Sequence, residues 1–335
     1  MATIRDIAKI TGFSINTVSN ALRNKNNVKK DTKEYIQKIA RGLAYIPNNI
    51  ARSLVSKKSF LIALVIHSIK DPFYTELINH IEELIYCSNY KLILFNHNEN
   101  LQRQDIILQS ILEQKIDGVL INPALSDKSI IEKLNTCGIA FVVLVRNYED
   151  CQVNFIGIDF KLGLKIVVDH FLKYGRRRIL NICGSDITPS SKMRLLGYKN
   201  ALSTHNIEFD QELVIENIKS KEHLWHQMDS LIKIKKKVDA IYCYDFNTTA
   251  AVLEYCKVNN IKIAEDVAII GFEFEIFCVN SYIPVTALKY NTNKISENAW
   301  SVLKKLIDSN NSLKMVQNIY TKPELIIRES CGELK

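Results

Sequence analysis

Apolar positions in the first sixty residues recur at helical spacing. Ile4, Ile7 and Ala8 form one face of a short first helix. Gly12 is free to take the positive φ of a tight turn, and Ser14 is suited to cap a second helix whose inward face is Val18, Ala21 and Leu22. Small Ala8 lets the two helices cross closely. After a polar loop at 23–27, a third helix over about 31–44 sets Ile36, Ile39, Ala40 and Leu43 to cover them. Asp31 and Glu34 sit in its first turn, where they complement the helix dipole. Tyr45-Ile46-Pro47-Asn48 then breaks the chain. The stretch 49–56 makes barely two turns, too short to be a stable helix alone, so it is expected to fold on binding.

From Phe60 the pattern changes. FLIALVIH (60–67) is a continuous apolar run rich in β-formers and predicts a buried strand. A helix over 73–87, strand KLILFN, helix 101–115, strand GVLIN, helix 127–136 and strand AFVVLV follow. After Gly157 the alternation resumes with helix 161–174, strand ILNICG, helices 191–205 and 221–235, strand AIYCYD, helix 247–259 and strand VAIIGF. Such alternation predicts an α/β chain with parallel sheets of right-handed β-α-β units. So many strands imply two sheets and two lobes, with a ligand cleft at the strands' carboxyl ends.

Charge is uneven along this frame. Residues 1–59 hold twelve Lys and Arg against Asp6, Asp31 and Glu34, which is +9; the whole chain is +8, leaving −1 for the rest. A basic head on a near-neutral body is what a phosphate-binding module requires, because affinity for a polyanion comes largely from counterion release. Together with the helix–glycine–helix pattern, it points to a helix-turn-helix whose second helix enters a DNA major groove. No apolar run reaches membrane-spanning length, and ATIRDIAK does not read as a signal peptide, so a cytoplasmic protein is expected. Eight cysteines lack C-x-x-C spacing and sit mostly in apolar runs, which predicts reduced core thiols, neither disulfides nor zinc ligands.

Catalytic constellations are missing. There is no G-x-S-x-G, no G-x-x-x-x-G-K-[ST], no H-E-x-x-H and no G-x-G-x-x-G. His223 and His226 are three apart on an expected helix without an acidic or cysteine partner at ligand spacing. CGSD (183–186) after a strand reads as a plain strand-to-helix turn more readily than an anion site. The expectation is a binding protein with no catalytic residues, metal or cofactor.

With these residues in view, the chain resembles the lactose-repressor (LacI/GalR) family of bacterial transcription regulators from end to end. ATIRDIAKITGFSINTVSNAL, Val28 with Thr32, and YIPNNIARSL follow its DNA-binding and hinge pattern. DPFY (71–74), KIDGVLI (115–121), GIDFKLG (157–163), YGRRRI (174–179), RLLGY (194–198), DVAIIGF (266–272), IPVTALK (283–289) and PELIIRES (323–330) match its core in order. The resemblance implies a helix-turn-helix domain (1–46), a hinge (47–59) and a periplasmic-binding-protein-like core (60–335) of two lobes joined by three crossovers. The first lobe would be about 60–158 plus 291–320, the second 159–290 plus 321–335. It also implies a homodimer on an operator in double-stranded DNA; with the chain ending just after PELIIRES, there is no room for the leucine-heptad tail of tetrameric relatives.

By the same resemblance, Ile15, Asn16 and Asn20 read bases, Asn pairing with adenine and Ile15 touching apolar surface. Thr17, Ser19 and Arg23 suit phosphate or mixed contacts. Arg5, Ser14, Tyr45, Asn48, Ala51 and Val55 complete the DNA set, and Leu54 matches the leucine that wedges into the minor groove. Effector contacts carry over to Phe73, Tyr74, Arg146, Arg194, Asp245 and Glu273. Val145, Ile218, Phe246 and Phe274 replace residues that are commonly Asp, an aromatic, Asp and Asp, so the pocket is expected to be less polar than a typical sugar site. A carbohydrate-like small molecule is the family expectation, with a more apolar, nucleoside-like ligand as the variant. A dimeric operator-binding repressor therefore leads. The alternatives are a cytosolic solute-binding module with a basic nucleic-acid anchor, and an α/β enzyme with a regulatory head.

Overall fold

The structure, a computed structural model, describes residues 2–24, 26–45, 58–125, 127–148, 151–234, 238–309 and 316–332. They fall into two compact units, Met1–Ser59 and Phe60–Lys335. The short helix expected over 49–56, and with it Asn48, Ala51, Leu54 and Val55, lies outside the described residues.

In the first unit each helix boundary has a local cause. Helix α1 (Ile4–Thr11) opens with a capping box, in which the Asp6 carboxylate accepts from the Thr3 backbone N–H at 2.8 Å and the Thr3 hydroxyl from that of Asp6. It ends at Gly12, whose φ of 74° admits the left-handed turn and whose N–H reaches the Ala8 carbonyl. Helix α2 (Ile15–Leu22) is capped by Ser14, and α3 (Lys30–Gly42) covers both. Ile7, Val18, Ala21 and Ile36 are fully buried between them. Gln37 of α3 donates to the Ala21 carbonyl and to Asn24 Oδ1, fixing the far end of α2.

The second unit begins with β1 (Leu61–Ile66), α4 (Pro72–Cys87), β2 (Lys91–Asn96), α5 (Leu101–Glu113), β3 (Gly118–Ile121), α6 (Ser129–Thr136), β4 (Ala140–Leu144) and β5 (Phe155–Ile158). The chain then enters a second lobe with α7 (Phe160–Lys173), β6 (Ile179–Gly184), α8 (Pro189–Thr204), β7 (Val214–Glu216), α9 (Lys221–Met228), β8 (Ala240–Cys243), α10 (Phe246–Val258), β9 (Ala268–Phe272), α11 (Glu275–Asn280) and β10 (Thr286–Lys289). It returns with α12 (Thr292–Asp308) and β11 (Asn318–Thr321), and crosses a third time into β12 (Glu324–Ile326). Among the described residues there are two six-stranded sheets, ordered β11-β5-β4-β3-β1-β2 and β12-β10-β9-β8-β6-β7. Every pairing is parallel except β10 with β12.

The α/β expectation and the two-lobed form hold. The helix expected over 221–235 differs: α9 stops at Met228 and a wider π turn follows over Asp229–Ile234, where the Asp229 carboxylate receives the Tyr255 hydroxyl of α10 at 2.7 Å. Strands β5, β7, β10, β11 and β12 have three or four residues each, too few to impose a visible alternation. Helix α12 returns to the first lobe because its stripe of Ile295, Ala299, Leu303 and Leu306 is buried there; Gly118 of β3 leaves the space that Leu303 and Ile307 fill. Five of the eight cysteines are buried, while Cys87 and Cys137 are exposed and Cys151 is intermediate. No helix among the described residues is long and apolar enough to cross a membrane.

Candidate functional site

On α2 the buried Val18 and Ala21 fix the opposite face outward. At about 100° per residue, Ile15, Asn16, Ser19, Asn20 and Arg23 share an arc of roughly 140°. Ile15, at 49% exposure, is an apolar residue held in solvent at the helix start. Ser14 Oγ accepts from the Thr17 N–H at 3.1 Å and lies 2.9 Å from Thr17 Oγ1. Two hydroxyl protons are therefore shared over one mutual bond, leaving one for an outside acceptor such as phosphate. Arg5 and Arg23 are exposed, whereas the ring of Tyr45 packs on the headpiece core. Among the described residues, Arg5, Lys9, Arg23, Lys29, Lys30, Lys33, Lys38 and Arg41 have no carboxylate within 4.0 Å.

In the core a cavity of about 290 Å³ lies between the lobes at the carboxyl ends of the strands. Phe73 and Tyr74, in the first turn of α4, form one wall; Phe73 meets Phe272 and Tyr290 of the opposite lobe edge-on, each at 6.3 Å between ring centres. Arg194 of α8 lies on the other wall, 7% exposed. Its guanidinium is stacked between Phe160 and Tyr244, and its Nε and Nη2 donate to the Cys183 carbonyl at 3.2 and 3.0 Å. Gly184, at φ 93°, suits this approach, since a side chain there would be strained and would crowd Arg194 and Tyr244 at 3.1–3.2 Å. The CGSD turn thus anchors an arginine and places Ser185 in the lining.

Arg146 also lines the cavity, but its charge is already satisfied. It forms a two-pronged pair with Glu99, one bond measuring 3.0 Å, and donates to the Pro123 carbonyl at 2.7 Å. Burial alone would raise the Glu99 carboxyl; the Arg146 bonds outweigh it and hold it below its usual range. Arg146 is aimed by a tight turn in which its N–H returns to the Leu144 carbonyl at 2.7 Å. Val145, at the turn's centre, adopts φ 66°, a strained conformation for a β-branched residue.

Asp245 and Asp71 face the cavity from opposite lobes, each capping a helix: Asp245 accepts from the Thr248 N–H and Asp71 from that of Phe73. Burial, together with the nearby Asp245 charge, pushes the Asp71 carboxyl up to about 6, against the pull of the Phe73 N–H. Burial, aided by Arg146, brings His67 down to about 4. His67 packs edge-on against Tyr74 and is 3.9 Å from Asp71.

Of the six effector positions, Phe73, Tyr74, Arg146, Arg194 and Asp245 line this cavity and Glu273 does not. Both Glu273 oxygens are taken by Arg328, at 2.8 and 2.7 Å, so Glu273 is a buried structural ion-pair partner. Of the four replacements expected to make the pocket less polar, Val145 lines the cavity and the other three do not. Phe246 packs its ring against Phe274 and Phe277, and Ile218 packs into the second-lobe core, all outside the lining. Beside Val145 and other apolar side chains, the lining holds Asp71, Glu99, Asp245, Arg146 and Arg194. His67, Asp71, Glu99, Tyr244 and Tyr290 were missed; Asp71 stands in the quoted DPFY segment, and the others lie at strand ends, where a parallel sheet collects ligand residues.

Residues 3–48 match the family described as bacterial regulatory proteins, lacI family, and 168–331 match the periplasmic binding protein-like domain. The HTH-type transcriptional repressor PurR of Actinobacillus pleuropneumoniae is 26% identical over 335 residues, covering 100% of this chain and 99% of its own. The Lac repressor dimer bound to operator and the anti-inducer ONPF superposes with a TM-score of 0.86 at 19% identity, covering 98% of this chain and 99% of that one. The transcriptional regulator CelR–cellobiose complex gives 0.75 at 21%, covering 98% and 100%. With a LacI-type helix-turn-helix on a two-lobed periplasmic-binding-protein-like core, this chain belongs to the LacI family of bacterial regulatory proteins.

Proposed function

We propose that the protein is a cytoplasmic, non-enzymatic transcriptional repressor that binds a palindromic operator as a homodimer and changes its operator affinity when a small molecule enters the interlobe cavity. The observation that carries this reading is the outward arc of Ile15, Asn16, Asn20 and Arg23, on a headpiece in which Arg5, Lys9, Lys29, Lys30, Lys33, Lys38 and Arg41 pair with no carboxylate among the described residues. Side chains able to read base edges are surrounded by charge able to hold phosphates. On this reading, residues 1–46 bind DNA, 47–59 form the hinge, Asn48, Ala51 and Val55 add DNA contacts, and Leu54 wedges into the minor groove. A second copy is supported by the apolar surface at α11, where Ile276, Val279 and Tyr282 are 71%, 49% and 53% exposed.

The cavity supports the second half of the reading, because a ligand held by both lobes binds one lobe arrangement better than another, and only such a difference moves a distant site. Selection of bound sequences from random duplexes with the full-length protein tests it. Enrichment of two inverted half-sites about one helical turn apart is the expected result. No enrichment, or a single unrepeated site, contradicts it and favours a solute-binding module with a non-specific nucleic-acid anchor.

A further inference from the structure

The cavity lining holds more negative charge than its own cations neutralise. Glu99 and Arg146 compensate each other through paired bonds. That leaves Asp71 from the first lobe and Asp245 from the second against one guanidinium, Arg194; among the described residues no cation lies within 4.0 Å of Asp245, and His67, 3.9 Å from Asp71, is neutral above about pH 4. Each uses one oxygen, Oδ1, to cap its helix; Asp71 Oδ2 lies 3.9 Å from His67 Nε2, and Tyr244 adjoins Asp245 in the lining. Two carboxylates facing one space from opposite lobes repel each other and lose solvation as the lobes close. Hydroxyl groups of a neutral ligand supply hydrogen bonds but leave that repulsion in place, whereas an ammonium removes both costs.

A second group points the same way. Arg194 is 7% exposed, has no carboxylate partner, and its Nη1 makes no hydrogen bond among the described residues. Arg194 lines the cavity, and its remaining donors are able to take an acceptor oxygen from a ligand there. A volume near 290 Å³ is at the small end of ligand cavities, which run roughly 300–1,000 Å³, and suits one ring.

We propose that the effector is a hexosamine-sized primary amine whose ammonium bridges Asp71 and Asp245 while a ring oxygen or hydroxyl accepts from Arg194. This rests on the regulator reading for the word effector, but the binding itself does not depend on DNA. An ammonium held by both lobes fixes their closure, which makes it the element that transmits occupancy.

Isothermal titration of the full-length protein near pH 7 tests the proposal with glucosamine, galactosamine and mannosamine, each beside its parent hexose and its N-acetyl derivative. At least one amine should bind ten-fold or more tighter than both counterparts, and Asp71→Asn should abolish that advantage. Asparagine caps a helix about as well as aspartate, so the variant keeps α4, which a melting curve verifies. Silence from every compound, a parent sugar that binds as tightly as its amine, or an advantage that survives Asp71→Asn overturns the proposal. An operator footprint with the same preparation separates the two claims: its absence counts against the regulator reading alone.

Discussion

Glu273 and Arg328 are joined by two parallel hydrogen bonds across fifty-five residues of sequence, from β9's end to the segment after β12. With side chains 7% and 14% exposed, neither charge has water to fall back on. Glu273→Ala should destabilise the core by roughly 3–5 kcal/mol, since it strands a largely buried guanidinium. Folded variant should retain ligand affinity. Denaturant titration together with ligand titration checks both; unchanged stability with lost binding would return Glu273 to the cavity.

Acid should act on the core through two opposed groups. The Asp71 carboxyl is raised from 3.8 to about 6, so the folded state binds more protons than the unfolded one between these values, and stability falls as pH rises through that window. His67 is lowered from 6.5 to about 4, so the unfolded state binds more protons and stability rises with pH between about 4 and 6.5. In the wild type the two oppose each other, with Glu99, Arg146 and His97 facing His67 and Asp245 facing Asp71. Asp71→Asn should leave a core that loses about 2–3 kcal/mol from pH 6.5 to 4, and His67→Gln one that gains stability over the same range. Melting temperatures of the three proteins against pH decide it; parallel curves would contradict the assignment.

Arg194→Ala should abolish the effector response while operator affinity without ligand stays within a few-fold. Arg194→Lys should not restore it, because an ammonium lacks the planar fork that stacks between Phe160 and Tyr244 and reaches the Cys183 carbonyl. Operator titrations with and without ligand read this, and a responsive Lys variant would place the essential contact elsewhere.

In the headpiece, base and phosphate contacts should separate. Asn20→Ala should cost about 1–3 kcal/mol on the selected operator and relax preference at one position of each half-site. Arg23→Ala should weaken all sequences alike and lower the salt slope by about one. Ser14→Ala should cost the headpiece about 1 kcal/mol through its lost cap, visible without DNA.

The legible parts of this molecule are those with local causes. Gly12, Ser14 and the Val18/Ala21 face announce α2 because caps and helical spacing act over a few residues, and the apolar runs of β1 and β4 announce themselves by density. The cavity is assembled differently. Asp71 and Asp245, 174 positions apart, line one cavity only because the two lobes pack together, and no spacing rule reaches that far. Glu273 was misplaced because its partner, Arg328, arrives from a third crossover. Family likeness found Arg194 but not Tyr244, Phe160 and Gly184, which hold it. The left-handed turn at Val145 left no trace in sequence, since valine is a residue that such a turn disfavours.

The most direct measurement is the affinity of the full-length protein for a selected operator and for the same duplex with both half-sites scrambled, each titrated from about 50 to 200 mM salt. The prediction is a preference of about 10³-fold or more for the operator at physiological salt, with steep salt dependence on both duplexes. Equal affinity for the two at every salt concentration would contradict sequence-specific regulation by this protein.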